Sequence, residues 1–171
     1  MIHVVVDDLA FLDADAIVRP TNARLDATTT AVRRIEQVGG SDFLARIKLR
    51  RELAVGAAVV TGGGGDLPAE FVIHAVIQSD TQAISREGVA RAWLSALQRA
   101  QEWGFGRLSA PPLGIGAGNL TVEDAAELMV SVLRQHRATA GQPAEVHIVV
   151  ERTEDREVFE AAIKRQSAGD S

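Results

Sequence analysis

Short apolar runs rich in β-branched residues alternate with amphipathic stretches along this whole chain. That alternation restricts it to an α/β fold, the architecture that buries both kinds of segment together. The apolar runs cover residues 2–6, 16–18, 57–61, 71–77, 107–110 and 146–150. Pro20 is expected to stop the second run, and four glycines at 62–65 follow the third. Between the runs the apolar period lengthens to three or four residues. Ser85 is placed to cap a helix whose inward positions are Val89, Trp93, Leu97 and Ala100 and which stops at Gly104. Thr121 and Asp124 open another, with Ala125, Met129, Val132 and Leu133 inward. Thr153 is expected to cap a last helix that turns Val158, Phe159, Ala162 and Ile163 inward, and residues 28–53 read as helix in two pieces broken at Gly39 and Gly40. The expected architecture is a three-layer α/β/α sandwich: a mixed, mostly parallel six-stranded sheet with helices on both faces.

A length of 171 residues suits one domain, expected over 1–165, with a small polar tail at 166–171 expected to be flexible. The absence of cysteine excludes disulfides, thiolate metal sites and a cysteine nucleophile. The four histidines have no metal-ligand spacing, so neither a metal nor a cofactor is expected, and His74, set among apolar residues, reads as a core histidine. A net charge of −5 and the absence of tyrosine argue against a nucleic-acid partner. No apolar stretch is long enough to span a membrane and no signal peptide is evident, so a cytoplasmic location is expected.

The chemistry concentrates at residues 111–121, where a strand runs into the glycine-spaced loop Gly114-Ile115-Gly116-Ala117-Gly118-Asn119 and then into a capped helix. Glycines let backbone N–H groups approach an anion without Cβ interference, and a helix N-terminus adds partial positive charge. That order of parts suits a phosphorylated small molecule. In a parallel sheet such a ligand lies beyond the carboxyl ends of the strands. The segments expected there are 7–8, 19–22, 62–65, 78–79, 111–118 and 151–152. Glycines 62–65 precede Pro68 and a strand, not a helix, and read as a flexible hairpin-like connection. The chain has no Gly-Lys-Ser/Thr motif, and the Gly114, Gly116, Gly118 spacing is not the dinucleotide fingerprint. Arg33, Arg34 and the run from Arg46 to Arg51 read as a solvated basic helix face.

Three segments in order resemble the macrodomain family of ADP-ribose-binding modules: Asp15-Ala16-Ile17-Val18 with Thr21-Asn22; 56–61 with Leu67-Pro68-Ala69 and Val72-Ile73-His74-Ala75-Val76; and Pro112-Leu113-Gly114-Ile115-Gly116-Ala117-Gly118-Asn119-Leu120. The resemblance covers nearly the whole chain. It implies that Asp8, beside Leu9, accepts the adenine amino group, and that residues 114–118 wrap the diphosphate with backbone N–H groups. It also implies that Asn22 contacts the distal ribose and is the candidate catalytic residue, and that Arg152 lies near the adenine face. Gly114, Ile115, Gly116, Ala117, Gly118 and Asn119 complete the expected ligand-binding set.

The departures bear on activity. In hydrolytic members the asparagine turn leads into glycines and an acidic residue; here it leads into Arg24-Leu25-Asp26-Ala27-Thr28-Thr29-Thr30. The glycines and the acid are gone, Arg19 replaces the family's first asparagine, and Gly118 replaces an aromatic. The expected function is therefore binding of ADP-ribose or an ADP-ribosylated protein with weak or no hydrolase activity. Two alternatives stand beside it. One is an ADP-ribosyl hydrolase or O-acetyl-ADP-ribose deacetylase acting through Asn22. The other is a ligand-free interaction domain or a binder of another phosphorylated nucleotide or an RNA end. The last gains weight if Arg19 and Arg24 point into the pocket.

Overall fold

The computed structural model describes residues 1–48, 52–116 and 119–169. In chain order it contains β1 (Ile2–Val6), a 3-10 turn (Leu9–Phe11), β2 (Ala16–Asn22), α1 (Thr30–Arg46), β3 (Ala58–Gly62) and β4 (Phe71–Gln78). There follow α2 (Arg86–Trp103), β5 (Arg107–Ala110), α3 (Val122–Arg137), β6 (Glu145–Val150) and α4 (Thr153–Ala168). The six strands form one sheet in the order β1-β6-β5-β2-β4-β3. Every pair is parallel except β3 with β4.

Alternation along the strands sorts the core into two layers. Ala16, Val18, Ile73, Ala75, Leu108 and Ile148 face α2, α3 and α4, where Val89, Trp93, Ala125, Met129, Phe159 and Ala162 meet them. Ile17, Val72 and Val149 face the other way, onto Val32, Ile35 and Phe43 of α1 and onto Leu9 and Ala10. This is the expected three-layer α/β/α sandwich. The indole N–H of Trp93 donates to the Met129 carbonyl at 2.9 Å and ties α2 to α3.

Three expected boundaries are corrected. Pro20 does not stop β2, which continues to Asn22. β5 pairs only with Ala16 and Ile17, so at Pro20 that flank of β2 carries no ladder and tolerates a residue without an N–H. The helix expected over 28–53 starts at Thr30 and ends at Arg46. Its expected break is present: Gly40 has φ +67° inside α1. Thr153 is the first residue of α4, not its cap; the cap position is Arg152, which makes no side-chain cap bond. Its guanidinium instead reaches Asp155 at 3.0 Å, in the first helical turn. At its other end α4 runs past residue 165, and Gln166 Nε2 donates to the Glu127 carbonyl at 3.1 Å.

The glycines at 62–65 make the expected hairpin-like connection between β3 and β4, but their expected place is corrected. They lie away from the carboxyl rim, because antiparallel β3 puts Gly62 opposite Phe71 at the start of β4. The turn packs on the kink of α1: Asp66 N–H donates to the Val38 carbonyl at 3.0 Å, and a Cβ on Gly65 would come within 2.5 Å of that oxygen. No helix among the described residues is long and apolar enough to cross a membrane.

Candidate ligand-binding cleft

Four chain segments meet beyond the carboxyl ends of β1, β6 and β5 and enclose a cleft of about 220 Å3. Asp8 and Leu9 enter from the turn after β1, and Glu151 and Arg152 from the end of β6. Pro111, Pro112 and Ile115 enter from the loop after β5, and Thr29, Thr30 and Arg34 from the start of α1. Thr29 caps α1, its hydroxyl accepting from Val32 N–H at 3.3 Å. The first turn of α1 carries no acidic residue, so nothing there offsets the helix's positive end, which suits an anion in the cleft.

Asp8 holds a fixed orientation. Its Oδ1 accepts the Ala10 N–H at 3.1 Å, which caps the 3-10 turn, and its Oδ2 accepts from Arg34 Nη1 at 3.0 Å. The other arm of Arg34 pairs with Glu151. Two strand ends and a helix are thus joined by one guanidinium. Arg152 is paired with Asp155, whose hydrogen bond and charge raise the arginine's pKa above its ordinary value. Asp155 is itself buried and lines the cleft.

Asn22 is not among the cleft's lining residues. Its carbonyl oxygen accepts the N–H groups of Arg24 and Asp26, both at 2.9 Å, and its amide donates to Asp26 Oδ2 at 3.1 Å. These bonds clamp a tight turn in which buried Leu25 takes φ +66°. The Thr28 hydroxyl reaches the Pro20 carbonyl at 3.4 Å, closing the loop onto β2. Asn22→Ala is expected to cost about 1–2 kcal/mol, because two loop N–H groups lose a side-chain acceptor. A shift in the urea midpoint measures this, and an unchanged midpoint would show that the clamp contributes nothing.

Neither arginine of the anionic-ligand reading points into the cleft. Arg24 lies on the surface, bridging Glu52 at 3.1 Å and Asp80 at 2.8 Å. Arg19 is fully buried beneath the loop. It pairs with Glu36, donates to the Leu25 carbonyl at 2.6 Å and stands 3.3 Å from His74 Nδ1.

In the glycine loop, Ile115 lines the cleft, while Gly114, Gly116 and Asn119 do not. Gly114 has φ +82°, and a Cβ there would lie 2.8 Å from Val89 Cγ2, so this glycine serves the packing of the loop on α2. Leu120 N–H donates to the Gly114 carbonyl at 3.0 Å and Asn119 N–H to that of Gly116 at 3.1 Å. Ala117 and Gly118 lie outside the described residues. Among the described residues no cluster of three or more His, Asp or Glu is placed to hold a metal ion.

The residue that sequence reasoning missed is Arg34, read as part of a solvated basic face. Arg33 is exposed as expected, but Arg34 turns into the cleft. The signal was available: Thr30 and Arg34 stand four apart at the start of a helix and so share a face.

The Macro domain family model matches residues 18–129. An uncharacterized protein of Mycobacterium tuberculosis is 32% identical over 157 residues, covering 92% of this chain and 43% of that protein. The chain thus spans less than half the length of this relative. An O-acetyl-ADP-ribose deacetylase of Enterobacter sp. (strain 638) is 28% identical over 93% of this chain and 91% of its own. A mutant Oceanobacillus iheyensis macrodomain, solved with ADPR, superposes with a TM-score of 0.80 at 20% identity, over 96% of this chain and 92% of that one. On the extent of the family match, the chain belongs to the macro domain family.

Proposed function

We propose that this chain binds ADP-ribose, free or attached to protein, in the cleft beyond the strand ends, with weak or no hydrolase activity. One observation carries the reading: a fixed carboxylate acceptor, Asp8, faces the same cleft as the un-neutralised N-terminus of α1. A carboxylate suits an exocyclic amine, and a helix start suits a phosphate. Such a site takes a ligand with an amino-bearing base at one end and phosphate at the other. The Oceanobacillus iheyensis neighbour solved with ADPR supports that choice. In this reading Leu9 and Arg152 complete the base end, and Thr29, Thr30 and Ile115 stand at the phosphate end.

Low turnover follows from two features of the first loop. Both polar atoms of the Asn22 side chain are engaged inside the loop. The first turn of α1 offers no carboxylate to orient a water. A second reading, ester hydrolysis of O-acetyl-ADP-ribose, draws on the Enterobacter relative of that name. A cytoplasmic setting belongs to the same proposal.

Calorimetric titration with ADP-ribose, with AMP and ribose 5-phosphate as controls, tests the proposal. Saturable binding is expected, weakened about 10- to 100-fold in Asp8→Ala, the loss of a charge-assisted hydrogen bond. No heat from ADP-ribose would overturn it. Rapid release of acetate from O-acetyl-ADP-ribose would replace it with the second reading.

A further inference from the structure

We infer that the free edge of β1 pairs antiparallel with β1 of a second copy of this chain, joining the two sheets across a two-fold axis at Val4. The inference is independent of the ADP-ribose reading above.

β1 lies at one edge of the sheet and has a single neighbour, β6. Val146 N–H donates to the Met1 carbonyl, and Asp7 N–H donates to the Val150 carbonyl. The register between those two points is unbroken, so the odd residues of β1 turn their backbone groups to β6. Ile2, Val4 and Val6 therefore turn their N–H and C=O groups away from the sheet. Proteins guard such an edge with lysine, proline, a bulge or a covering element. β1 reads Ile-His-Val-Val-Val, without a bulge, and carries none of these guards. Beside it an open groove of about 400 Å3 separates residues 2–5 from Glu160, Ile163 and Lys164 of α4.

A second β1 is complementary to this edge. With the axis at Val4, each outward-facing residue meets another: Val4 its own copy, and Ile2 the second copy's Val6. Every outward N–H and C=O on both strands then has a partner, and the contact is the same patch on each copy, as a two-fold axis requires. Ile2 and Val4 pack on the α4 side of the sheet, and by alternation Val6, 39% exposed, stands on that side too. The cross-strand pairs on that face are thus all aliphatic. Charge points to a second copy as the occupant. The axis sets α4 antiparallel to its copy on one face of the joined sheet. Glu160 and Lys164, both exposed and both on the groove, stand four apart. The antiparallel copy presents them in reverse order, so each faces its opposite. Within its own chain Glu160 reaches Arg156 only at 3.9 Å. A five-residue strand alone falls short of the roughly 1,000 Å2 that a specific interface needs, so α4 belongs to the contact. The interface stops at Val6, and the cleft, whose lining starts at Asp7, stays open in both copies.

Sedimentation equilibrium of the unmodified chain tests this, and a reversible dimer with a micromolar dissociation constant is expected. Lys164→Glu sets like charges against each other twice across the axis and is expected to weaken the dimer about tenfold. Glu160→Lys is expected to do the same. The double swap, Glu160→Lys with Lys164→Glu, restores the complement and is expected to recover the unmodified affinity to within about threefold. Val6→Pro removes one outward N–H from each copy while leaving the bonds to β6 intact, a change that an edge strand accepts. It too is expected to weaken the dimer about tenfold. A monomer at every concentration would leave this edge to some other chain and overturn the inference. So would a dimer indifferent to Val6→Pro, or one that the double swap weakens as much as either single change.

Discussion

Replacing Arg19 with alanine is expected to cost about 3–5 kcal/mol of folding stability, the range for removing one partner of a buried charge pair. The side chain is 0% exposed in the middle of β2, and its surroundings explain why a charge survives there. One arm pairs with Glu36 of α1, and the same guanidinium donates to the Leu25 carbonyl in the first loop. It also lies 5.6 Å from the centre of the Phe43 ring. Arg19 therefore fastens three things at once: the sheet, the helix that opens the cleft, and the loop that Asn22 clamps. Burial lowers its pKa, Glu36 opposes that shift, and a guanidinium stays charged under both. Alanine would leave Glu36 without its cation, the Leu25 carbonyl without its donor and a void beneath the loop. Urea unfolding of the two proteins measures the difference. A loss under about 1 kcal/mol would mean that water or a rearranged Glu36 replaces the guanidinium at little cost.

The same residue shows where the sequence is legible and where it is not. Periodicity located every strand and most helix starts because burial repeats along an element: Val89, Trp93, Leu97 and Ala100 on α2 need no partner to be recognised as inward. The kink at Gly40 was readable because paired glycines interrupt a helix wherever they occur. Arg19 was not, since whether an arginine in a strand faces solvent or core depends on what stands opposite. Its partner Glu36 is 17 residues away on another element. The spacing of Arg34 from Thr30 was readable, but its two carboxylate partners were not, because they come from β1's exit turn and from beyond β6. Glycines 62–65 misled because strand direction is not written in composition. An antiparallel β3 moves them to the far end of the sheet. The candidate site was legible to the extent that it is built of segment ends, and illegible where cross-chain pairing decides which way a polar side chain turns.

Cross-chain pairing also creates the second large effect, a loss of stability in acid that passes through His74. This histidine is buried between Phe43, 5.8 Å away and stacked on it, and the Arg19 guanidinium. Arg19 Nη1 donates to its Nδ1 at 3.3 Å, so Nε2 carries the proton and donates to the Thr61 hydroxyl at 2.8 Å. Thr61 in turn donates to the Gly62 carbonyl at 3.2 Å. The network is complete for the neutral ring. A second proton, on Nδ1, would meet an arginine N–H in place of an acceptor. Burial first, and then the Arg19 charge, accordingly depress the His74 pKa from 6.5 to about 3. The unfolded chain thus binds a proton between those two values that the folded chain refuses, and stability rises with pH across the window. The contribution is fully present above pH 6.5 and is lost at about 1.4 kcal/mol per unit below it, a loss of about 3 kcal/mol by pH 4.5. Carboxylates elsewhere in the chain add their own acid sensitivity, so the measurement is a difference. His74→Asn keeps an acceptor for Arg19 and removes the titration. Its stability deficit relative to the unmodified protein, measured by urea unfolding, is expected to shrink by about 3 kcal/mol between pH 7 and pH 4.5. A deficit that stays constant over that range would show that the ring takes up its proton in the folded state as readily as in the unfolded one. The Arg19–His74 contact would then open in acid instead of resisting it.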